Sequence, residues 1–487
     1  MGENLEVRNA QTCLISGSRV SAEKNGIIPV IDPSNAEVYD FISAATDNDI
    51  DQAVHSARSA FHSVVWQNLN ATDRGRLLQN LSAEILKKKD VLAEVEARDT
   101  GKPMSQAQAD ILACARYFEF YGGAADKHYG STLQFLQNFH AQTIRQPLGV
   151  TGHIIPWNYP AQMFARSVGP SLTVGNTVVV KPAEDACQTP ILLAQIATEV
   201  GFPDGTINLV TGYGEEAGAS LAKHKDVNFL SFTGSPEVGT LVQAAAATNH
   251  IGCTLELGGK SPQIIFEDAN IEDAISAVVA GITQNGGQTC SAGSRVLIQK
   301  TIYRKCLDIL AEKFSGLVAA PWQDNRQLGP MISLKQKQRV EDFIAQGGSP
   351  DAPLVATGKI LETANEAGFY VTPSLFAPSS EFHPLAQEEI FGPVLACLSF
   401  ETETDATRIA NSTPYGLVAS IWSADGNRQF RMAKALRGGQ IFINCFGAGG
   451  GVELPFGGSG KSGHGREKGL EALNEFSQIK TIIHKYN

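Results

Sequence analysis

Cys290 lies in the stretch QNGGQTCSAGSR, residues 284–295, among small and polar residues. The apolar residues before it recur at helical spacing and predict a helix that two glycines then end: Ala274, Ile275, Val278, Val279 and Ile282. A structural cysteine usually lies among apolar neighbours, where it behaves as a small hydrophobic residue. The stretch therefore indicates an accessible thiol rather than a structural one.

Polar residues also follow apolar runs that are typical of strands. Asn158 lies in IIPWNYP, Lys181 and Glu184 lie in VVVKPAEDA, and Glu256 lies in TLELGGKSP. The carboxyl ends of parallel strands meet at one edge of a sheet, and ligands bind at that edge. We therefore expect these side chains to line a ligand crevice.

The elements that must position these residues alternate along the chain. From residue 148, apolar runs bounded by Gly or Pro alternate with helical stretches through four successive strand–helix units that lead to CTLELGG. This alternation predicts a doubly wound parallel sheet. A second alternating region runs from about 258 to 455, with strand candidates SPQIIF, SRVLIQ, PVLACLSF, LVASIWS and GQIFIN. Residues 50–120 read as helical, and Gly101 closes one helix.

Two further stretches, about 126–147 and 476–485, alternate as strands and belong to neither sheet. Strands without a home in their own domain often pair at a subunit interface, but a simple edge hairpin would give the same pattern. The sequence does not choose between these interpretations.

Two glycine-bearing turns are candidates for a phosphate site. TGYGEEAG, residues 211–218, has the spacing GxGxxxG, which is one residue too long for the dinucleotide fingerprint, and it follows the third strand rather than the first. FTGSPEVG, residues 232–239, is the better candidate. Here Gly234 clears the way for a ligand, Ser235 caps a helix, and the helix N-terminus presents free N–H groups.

Length and composition bound the remaining questions. At 487 residues the chain is too long for one core. The net charge of −11 argues against nucleic acid or an anionic membrane as a partner, since both reward basic patches, and no apolar run approaches a transmembrane span. The 8 cysteines show no CxxC and no metal-ligand spacing. That pattern, without an apparent signal peptide, favours a reducing cytoplasm.

In this order, the stretches resemble the signatures of the aldehyde dehydrogenase superfamily: PWNYP, KPAE, FTGSPEVG, ELGGKSP, GQTCSAGSR, EEIFGPV and PFGGSGKSG. The resemblance covers nearly the whole chain. It implies an α/β fold with a Rossmann-type NAD-binding domain (residues 1–125 and 148–257) and an α/β catalytic domain (258–457). It also implies a small bridging β-element for oligomerisation (126–147 and 474–487).

The resemblance further implies an enzyme that oxidises an aldehyde to a carboxylic acid. Cys290 is the expected nucleophile, because attack by a thiolate makes the carbonyl carbon tetrahedral before hydride leaves. The Asn158 side-chain amide and the Cys290 backbone N–H are expected to stabilise the oxyanion. Glu256 is the expected base for thioester hydrolysis, with a pKa raised by its apolar neighbours. Its presence favours water over coenzyme A as the acyl acceptor.

The implied cofactor is NAD, with NADP as the alternative. Lys181 and Glu184 are expected at the adenosine ribose, where the Glu184 carboxylate would repel a 2′-phosphate. Glu389 is expected at the nicotinamide ribose and Phe391 beside the ring. The other expected cofactor-binding residues are Ile155, Pro156, Trp157, Gly214, Gly234, Ser235 and Leu257.

The substrate pocket is expected to contain Phe164, Thr289, Ser291 and Phe456, and the glycine-rich stretch 445–453 is expected to form a wall poor in side chains. Many relatives carry Trp-Lys where this chain has Arg166-Ser167. Arg166 would favour an anionic semialdehyde, but an arginine on a long helix is more often a surface ion-pair residue. Phe456, without a second indole nearby, weakens an assignment to trimethylammonium aldehydes. The sequence does not name the aldehyde.

The expected partners are a small-molecule aldehyde and further copies of the chain, as a dimer or tetramer. Two alternatives are a cysteine-dependent esterase or hydrolase and a non-catalytic binding protein on the same scaffold. The first would need an orienting histidine near Cys290, and the second would be expected to lose the nucleophile. The chain retains Cys290, Glu256 and Asn158 together, which favours the dehydrogenase.

Overall fold

The computed structural model describes residues 12–24, 26–447 and 451–487. The first residues of the predicted NAD-binding domain and the centre of the glycine-rich stretch 445–453 therefore lie outside the description. Among the described residues, no helix has both the length and the apolar character that crossing a bilayer requires.

Short strands and then helices form the amino-terminal part. The elements are β1 (Cys13–Ile15), β2 (Ser18–Val20), β3 (Ile27–Asp32), β4 (Glu37–Ser43), α1 (Asp47–Phe61), α2 (Val64–Gln67), α3 (Ala71–Lys87), α4 (Lys89–Thr100) and α5 (Met104–Ala124). The predicted helical region 50–120 is confirmed. Gly101 ends α4 in the left-handed conformation, with φ of 76°, which glycine adopts without steric cost.

The strand–helix alternation predicted from residue 148 is also confirmed. After β5 (Ser131–Leu133) and β6 (Phe139–Pro147) come β7 (Val150–Ile155), α6 (Pro160–Val174), β8 (Thr177–Pro182), α7 (Gln188–Glu199), β9 (Ile207–Leu209), α8 (Ala219–Lys223), β10 (Phe229–Thr233), α9 (Pro236–Thr248) and β11 (Gly252–Glu256). Strands β7 to β11 pair in parallel in the order β9-β8-β7-β10-β11. The order reverses between β7 and β10, which places a ligand crevice outside their carboxyl ends.

The second alternating region forms its own sheet. Its elements are β12 (Pro262–Ile265), α10 (Ile271–Thr283), β13 (Arg295–Gln299), α11 (Tyr303–Ser315), β14 (Val318–Ala319), α12 (Leu334–Gln346), β15 (Leu354–Thr357), β16 (Lys359–Ile360), β17 (Ser374–Phe376), α13 (Pro384–Gln387), β18 (Val394–Phe400), α14 (Glu403–Ala410), β19 (Val418–Trp422), α15 (Gly426–Ala435) and β20 (Gln440–Ile443). The sheet order is β15-β17-β18-β13-β12-β19-β20. All the quoted strand candidates lie in this sheet.

The last elements return to the earlier parts of the molecule. They are β21 (Gly463–His464), α16 (Glu471–Glu475) and β22 (Ser477–Lys485). β21 pairs with β11 at the edge of the first sheet, and at the other edge β1 pairs with β9 and β2 with β1. The two stretches without a predicted home pair with each other, because β22, β6 and β5 form a separate 3-stranded antiparallel sheet.

The central strand of the first sheet contains a fully buried histidine. His153 Nε2 lies 2.8 Å from Thr151 Oγ1, and the ring stacks on Phe476 with centroids 5.6 Å apart. Burial lowers the pKa of the imidazole to about 3, since the interior disfavours its charged form. His153 is therefore neutral inside the sheet.

Candidate active site

The turn that carries the thiol begins where α10 ends. Asn285, Gly286 and Gly287 adopt left-handed backbone conformations, with φ of 50°, 63° and 75°. An added Cβ at Gly287 would lie 2.3 Å from the main-chain oxygen of Gly392, so only glycine fits there. The predicted helix and its break are confirmed, and Cys290 follows on a half-buried turn.

Cys290 opens into a cavity of about 900 Å³. Residues 156–158 and 233–237 line it, and they directly follow β7 and β10, where the strand order reverses. The cavity therefore occupies the crevice that this topology predicts. It brings together many of the residues that the sequence singles out: Pro156, Trp157, Asn158, Gly234, Ser235, Glu256, Cys290, Glu389 and Phe391.

The turn from β10 into α9 forms one wall of this cavity. Ser235 is the N-cap residue of α9, and its Oγ accepts a hydrogen bond from the Val238 N–H at 3.3 Å. The first N–H groups of a helix lack intrahelical partners, so this wall suits a phosphate. The competing stretch TGYGEEAG instead forms a short π-helical segment, Gly214–Gly218, directly before α8, and none of its residues lines the cavity.

Glu389 and Phe391 also line the cavity. Burial raises the pKa of the Glu389 carboxyl to about 7, although the Gly259 N–H donates to it at 2.9 Å and opposes the shift. Phe391 has a φ of 60°, an uncommon conformation for a bulky residue. Its ring meets Trp157 edge-on, with centroids 5.4 Å apart.

Lys181, Glu184 and Gly214 contact one another but do not line the cavity. Lys181 Nζ donates to the Glu184 carboxylate at 2.7 Å, and the Gly214 N–H lies 3.4 Å from its other oxygen. Burial opposes ionisation of Glu184, but the charge of Lys181 outweighs it and holds the pKa of the carboxyl below its usual value. The two residues expected at the adenosine ribose are thus paired with each other.

Other predicted residues stand behind the cavity surface. Ile155 and Leu257 are buried in the cores on the two sides of the first sheet. Phe164 is fully buried and packs edge-on against Phe118 at 6.3 Å. Phe164 therefore packs in the helical core and does not line the cavity.

The residues around the thiol have different partners. Thr289 Oγ1 lies 2.7 Å from the Tyr159 hydroxyl, and the Ser291 N–H donates to the Cys290 sulfur. Phe456 is buried in an apolar cluster against which Cys290 packs. Thr289, Ser291 and Phe456 are therefore close to the thiol, and their place in a substrate pocket stays a prediction.

The expectation that Arg166 is a surface residue is wrong. Helix α6 is buried along almost its whole length, and Arg166 is 5% exposed. Its guanidinium forms ion pairs with Glu467 and, at 3.4 Å, with Glu256. It also lies 4.5 Å from the centre of the Phe456 ring, so a buried cation lies beside Glu256 and near the Cys290 thiol.

Burial governs the acidity of the predicted nucleophile, Cys290, and of the predicted base, Glu256. It raises the pKa of the Cys290 thiol to about 12, and the nearby charge of Arg166 opposes this. It also raises the pKa of Glu256 well above its usual value, opposed by Arg166 and reinforced by Glu467. The thiol is therefore protonated at neutral pH and needs a base before it can attack. Glu256 has the raised pKa that such a base requires.

Helix α12 supplies a wall that the sequence analysis does not anticipate. Ser333, Lys335 and Arg339 line the cavity, and Arg339 donates to the main-chain oxygen of Glu389 at 2.6 Å. Lys335 and Arg339 are four residues apart, a spacing that puts both cations on one helix face. That spacing is the signal by which the sequence could have pointed to this wall.

A comparison with protein families identifies the group to which the chain is related. The model of the aldehyde dehydrogenase family matches residues 20–482. The chain belongs to the aldehyde dehydrogenase family. The resemblance drawn from the motifs is confirmed, and so is the enzyme class, an oxidoreductase of the aldehyde dehydrogenase type.

Curated relatives align over almost their whole length. Aldehyde dehydrogenase family 2 member C4 of Arabidopsis thaliana is 38% identical over 473 residues, which cover 96% of this chain and 94% of the relative. Retinal dehydrogenase 2 of Homo sapiens is 38% identical over 486 residues, which cover 99% and 93%.

Solved structures agree with this assignment. A candidate aldehyde dehydrogenase from Burkholderia cenocepacia is 52% identical, with a TM-score of 0.96 over 98% of this chain and 100% of that chain. Betaine aldehyde dehydrogenase from Staphylococcus aureus, solved in complex with NAD+, is 34% identical, with a TM-score of 0.95 over 99% of this chain and 95% of that chain. The predicted α/β aldehyde dehydrogenase fold is confirmed.

Proposed function

We propose that the protein oxidises an aldehyde to a carboxylic acid with NAD+, through covalent attachment of the substrate to Cys290. One observation carries this proposal: the Cys290 thiol, the Glu256 carboxyl and the Asn158 turn line the same cavity as Glu389 and Phe391. A nucleophile, a base and an oxyanion donor thus face the place where a redox cofactor fits. The NAD+ complex of the Staphylococcus aureus relative supports the choice of cofactor.

The cavity fits a nicotinamide dinucleotide. An added Cβ at Gly258 would lie 2.1 Å from a carboxylate oxygen of Glu389, so the absence of a side chain there makes room for a carboxylate that can accept ribose hydroxyls. Ser235 and the first turn of α9 suit a phosphate, and Phe391 offers a ring. When bound, the nicotinamide accepts the hydride that the substrate carbon releases.

The first chemical step is the attack of Cys290 on the carbonyl carbon. The thiol proton passes to Glu256, the sulfur–carbon bond forms, and the carbonyl electron pair moves to oxygen. The side-chain amide of Asn158 and the Cys290 backbone N–H stabilise that oxyanion. Collapse of the thiohemiacetal expels hydride and leaves a thioester on Cys290.

The second step is hydrolysis of the thioester. Glu256 takes a proton from water, the hydroxide oxygen bonds to the acyl carbon, and Cys290 leaves as a thiolate. Glu256 must therefore release the proton that it took from the thiol before it can act as the base for hydrolysis. The ion pair with Arg166 favours the carboxylate form of Glu256 and thereby supports that role.

The test of this proposal is a panel of aldehydes with NAD+, followed by NADH absorbance, on the wild-type protein and two cysteine variants. We expect Cys290→Ala to abolish turnover while NAD+ still binds. Cys253→Ala is the matched control, because Cys253 is a half-buried free thiol like Cys290 but does not line the cavity, and it should retain full turnover. Equal activity of the two variants would refute the assignment of the nucleophile.

Glu256→Gln tests the hydrolytic step separately. We expect a burst of NADH in the first turnover followed by a slow steady state, because the thioester forms but is not cleaved. An unchanged steady-state rate would remove Glu256 from the mechanism. Faster turnover with coenzyme A than with water would place the protein among acyl-transferring enzymes instead.

We infer that NAD+ is preferred to NADP+. The Glu184 carboxylate would repel a 2′-phosphate, although its ion pair with Lys181 at 2.7 Å softens that repulsion. Glu184→Ser should therefore raise kcat/KM for NADP+ relative to NAD+ without changing the aldehyde preference. A ratio unaffected by this substitution would place the adenosine ribose elsewhere.

We further propose that the chain forms a dimer or tetramer through the sheet of β5, β6 and β22. Strand β22 is an edge strand of that sheet, and Ile479, Ile482 and Ile483 on it are exposed. An exposed apolar edge strand favours pairing with another chain. Light scattering should report a mass of two or four times 52.0 kDa. The double variant Ile479→Lys/Ile483→Lys should have a lower mass, because it places charges on the exposed edge strand. A monomeric wild type would instead support the alternative of a simple edge hairpin.

The domain division and the compartment remain part of the same proposal. The first sheet corresponds to the NAD-binding domain, the second to the catalytic domain, and the third to the bridging element. The cysteines are free thiols, which supports the reducing cytoplasm as the compartment.

A further inference from the structure

A buried ionic cluster lies behind the turn that carries Asn158. Lys102 follows Gly101, and its side chain is completely buried. Its Nζ lies 2.5 Å from a carboxylate oxygen of Asp110 and 3.4 Å from one of Glu96. We call these three residues the Lys102 cluster. A buried ammonium needs such partners, because an isolated charge in the interior is very costly.

The third bond of Lys102 reaches the active site. Nζ donates to the main-chain oxygen of Asn158 at 3.0 Å, and Asn285 Nδ2 donates to the same oxygen at 2.8 Å. The ammonium also lies 4.5 Å from the centre of the Tyr159 ring. Lys102 therefore contacts two consecutive residues, Asn158 and Tyr159, of the turn between β7 and α6. Asn285, which lies in the turn before Cys290, contacts the same segment.

The side chain of Asn158 depends on this restraint. Its Nδ2 donates to the main-chain oxygen of Gln288 at 2.9 Å, two residues before Cys290. Its buried Oδ1 has no hydrogen-bond partner within the described part of the chain. One hydrogen bond thus fixes the side-chain amide directly. Its remaining orientation depends on the main chain of Asn158, which Lys102 and Asn285 hold.

We propose that Lys102 is a positioning residue for the oxidation of the aldehyde: it clamps the main chain of Asn158 so that the side-chain amide faces the oxygen that becomes negative. This inference rests on the proposed role of Asn158 as oxyanion donor. Such donors act through preorganisation, and a displacement of well under an ångström weakens them. A charged, fully buried donor makes a strong and inflexible clamp.

The test is a double-mutant cycle between Lys102→Met and Asn158→Ala, read by NADH formation in the first turnover. Loss of one oxyanion donor costs about 10²–10³-fold in rate, so loss of its clamp should lower kcat by about 10- to 100-fold, with KM and NAD+ binding little changed. The double variant should be no slower than Asn158→Ala alone. Alkylation of the Cys290 thiol by iodoacetamide should keep its wild-type rate.

Two further variants keep the test valid if Lys102→Met folds poorly. The triple variant Lys102→Met/Glu96→Gln/Asp110→Asn leaves no unpaired charge and should show the same rate loss. Ser82→Ala removes a buried hydrogen bond to Ala115 in the same helical layer and should lower stability without lowering kcat.

Each outcome is decisive. Rate losses that multiply in the double variant, or a parallel fall in alkylation, would show that Lys102 acts on the fold in general and would overturn the inference. A full rate in Asn158→Ala would instead refute the proposed role of Asn158, and a full rate in Lys102→Met alone would refute only the clamp.

Discussion

Two buried ionic clusters lie beside the cavity, and they act on it in different ways. The Lys102 cluster places one cation between Glu96 and Asp110, and that cation contacts the turn through the main-chain oxygen of Asn158 and the ring of Tyr159. The second, which we call the Arg166 cluster, places Arg166 between Glu467 and Glu256. In the proposed mechanism the first cluster fixes the position of Asn158, whereas the second includes the proposed base Glu256 and so sets its charge.

The two clusters also use different cations, a lysine ammonium in the first and an arginine guanidinium in the second, and each suits its surroundings. An ammonium is a compact point charge with three donors, which suits one carbonyl and two carboxylates converging from different directions. A guanidinium is planar, so it can pair at its edge with two carboxylates while its face covers an aromatic ring. Arg166 does both, because it also stacks on Phe456.

The largest effect should come from Arg166→Met. Breaking a buried ion pair by removing one partner costs about 3–5 kcal/mol, because Glu256 and Glu467 would remain buried without their shared cation. The loss also removes the charge that lowers the pKa of Glu256, so the acidic limb of the kcat profile should move to higher pH. Chemical denaturation and a pH–rate series measure the two effects.

The matched control is Arg76→Met, which breaks an exposed ion pair with Asp73. Exposed pairs contribute at most about 1 kcal/mol, so neither stability nor the pH profile should change appreciably. If Arg166→Met behaved like this control, the Arg166 cluster would have no role in setting the charge of Glu256.

A smaller effect is expected from Asp110→Asn in the Lys102 cluster. Lys102 keeps Glu96 and the Asn158 oxygen, so the clamp loosens but does not disappear. We expect kcat to fall by less than in Lys102→Met, with no displacement of the pH profile, because no group of this cluster takes part in proton transfer. A displaced profile would show that both clusters tune charge and would remove the distinction between them.

The smallest effect, and the sharpest, should come from Glu467→Gln. The Glu467 charge raises the pKa of Glu256, so its removal should lower that pKa and move the acidic limb of kcat to lower pH. This displacement is opposite in sign to that of Arg166→Met. A pH–rate series on both variants tests the pair, and displacements of the same sign would contradict the model of charge control.

The sequence predicts much of the fold and many of the residues that line the cavity around Cys290. Strand–helix alternation indicates the first sheet, since each of its parallel strands is a short apolar run bounded by Gly or Pro. The glycine break before Cys290 and the helix cap at Ser235 are local features, so local pattern is sufficient to find them. The motifs then add Glu389 and Phe391, which no periodicity would have singled out.

The two clusters could not be predicted in the same way. Arg166 looks like a surface residue because helical periodicity shows one face of α6 as apolar, yet the structure covers that helix on all sides. Its partner Glu467 is some 300 residues away in the chain. Similarly, β1 is only three residues long, and its pairing with β9 is a long-range contact that short-range propensity does not encode.

The buried histidine of the central strand has a consequence for the working range of the whole molecule. An unfolded chain binds a proton at His153 below a pH of about 6.5, whereas the folded sheet accepts one only near its pKa of about 3. Protons therefore favour the unfolded chain throughout that interval, so the stability contribution is complete above about pH 6.5 and is lost as pH falls toward 3. At pH 5 the loss is about 2 kcal/mol.

This proton linkage makes the first sheet an acid-sensitive part of the fold. Acidification below about pH 6.5 should therefore lower the free energy of unfolding of this sheet. Urea midpoints at pH 7 and pH 5 should converge in His153→Leu but not in His55→Gln, which replaces an exposed histidine of α1. If the difference between the two urea midpoints stayed the same in both variants, a group other than His153 would cause the acid sensitivity.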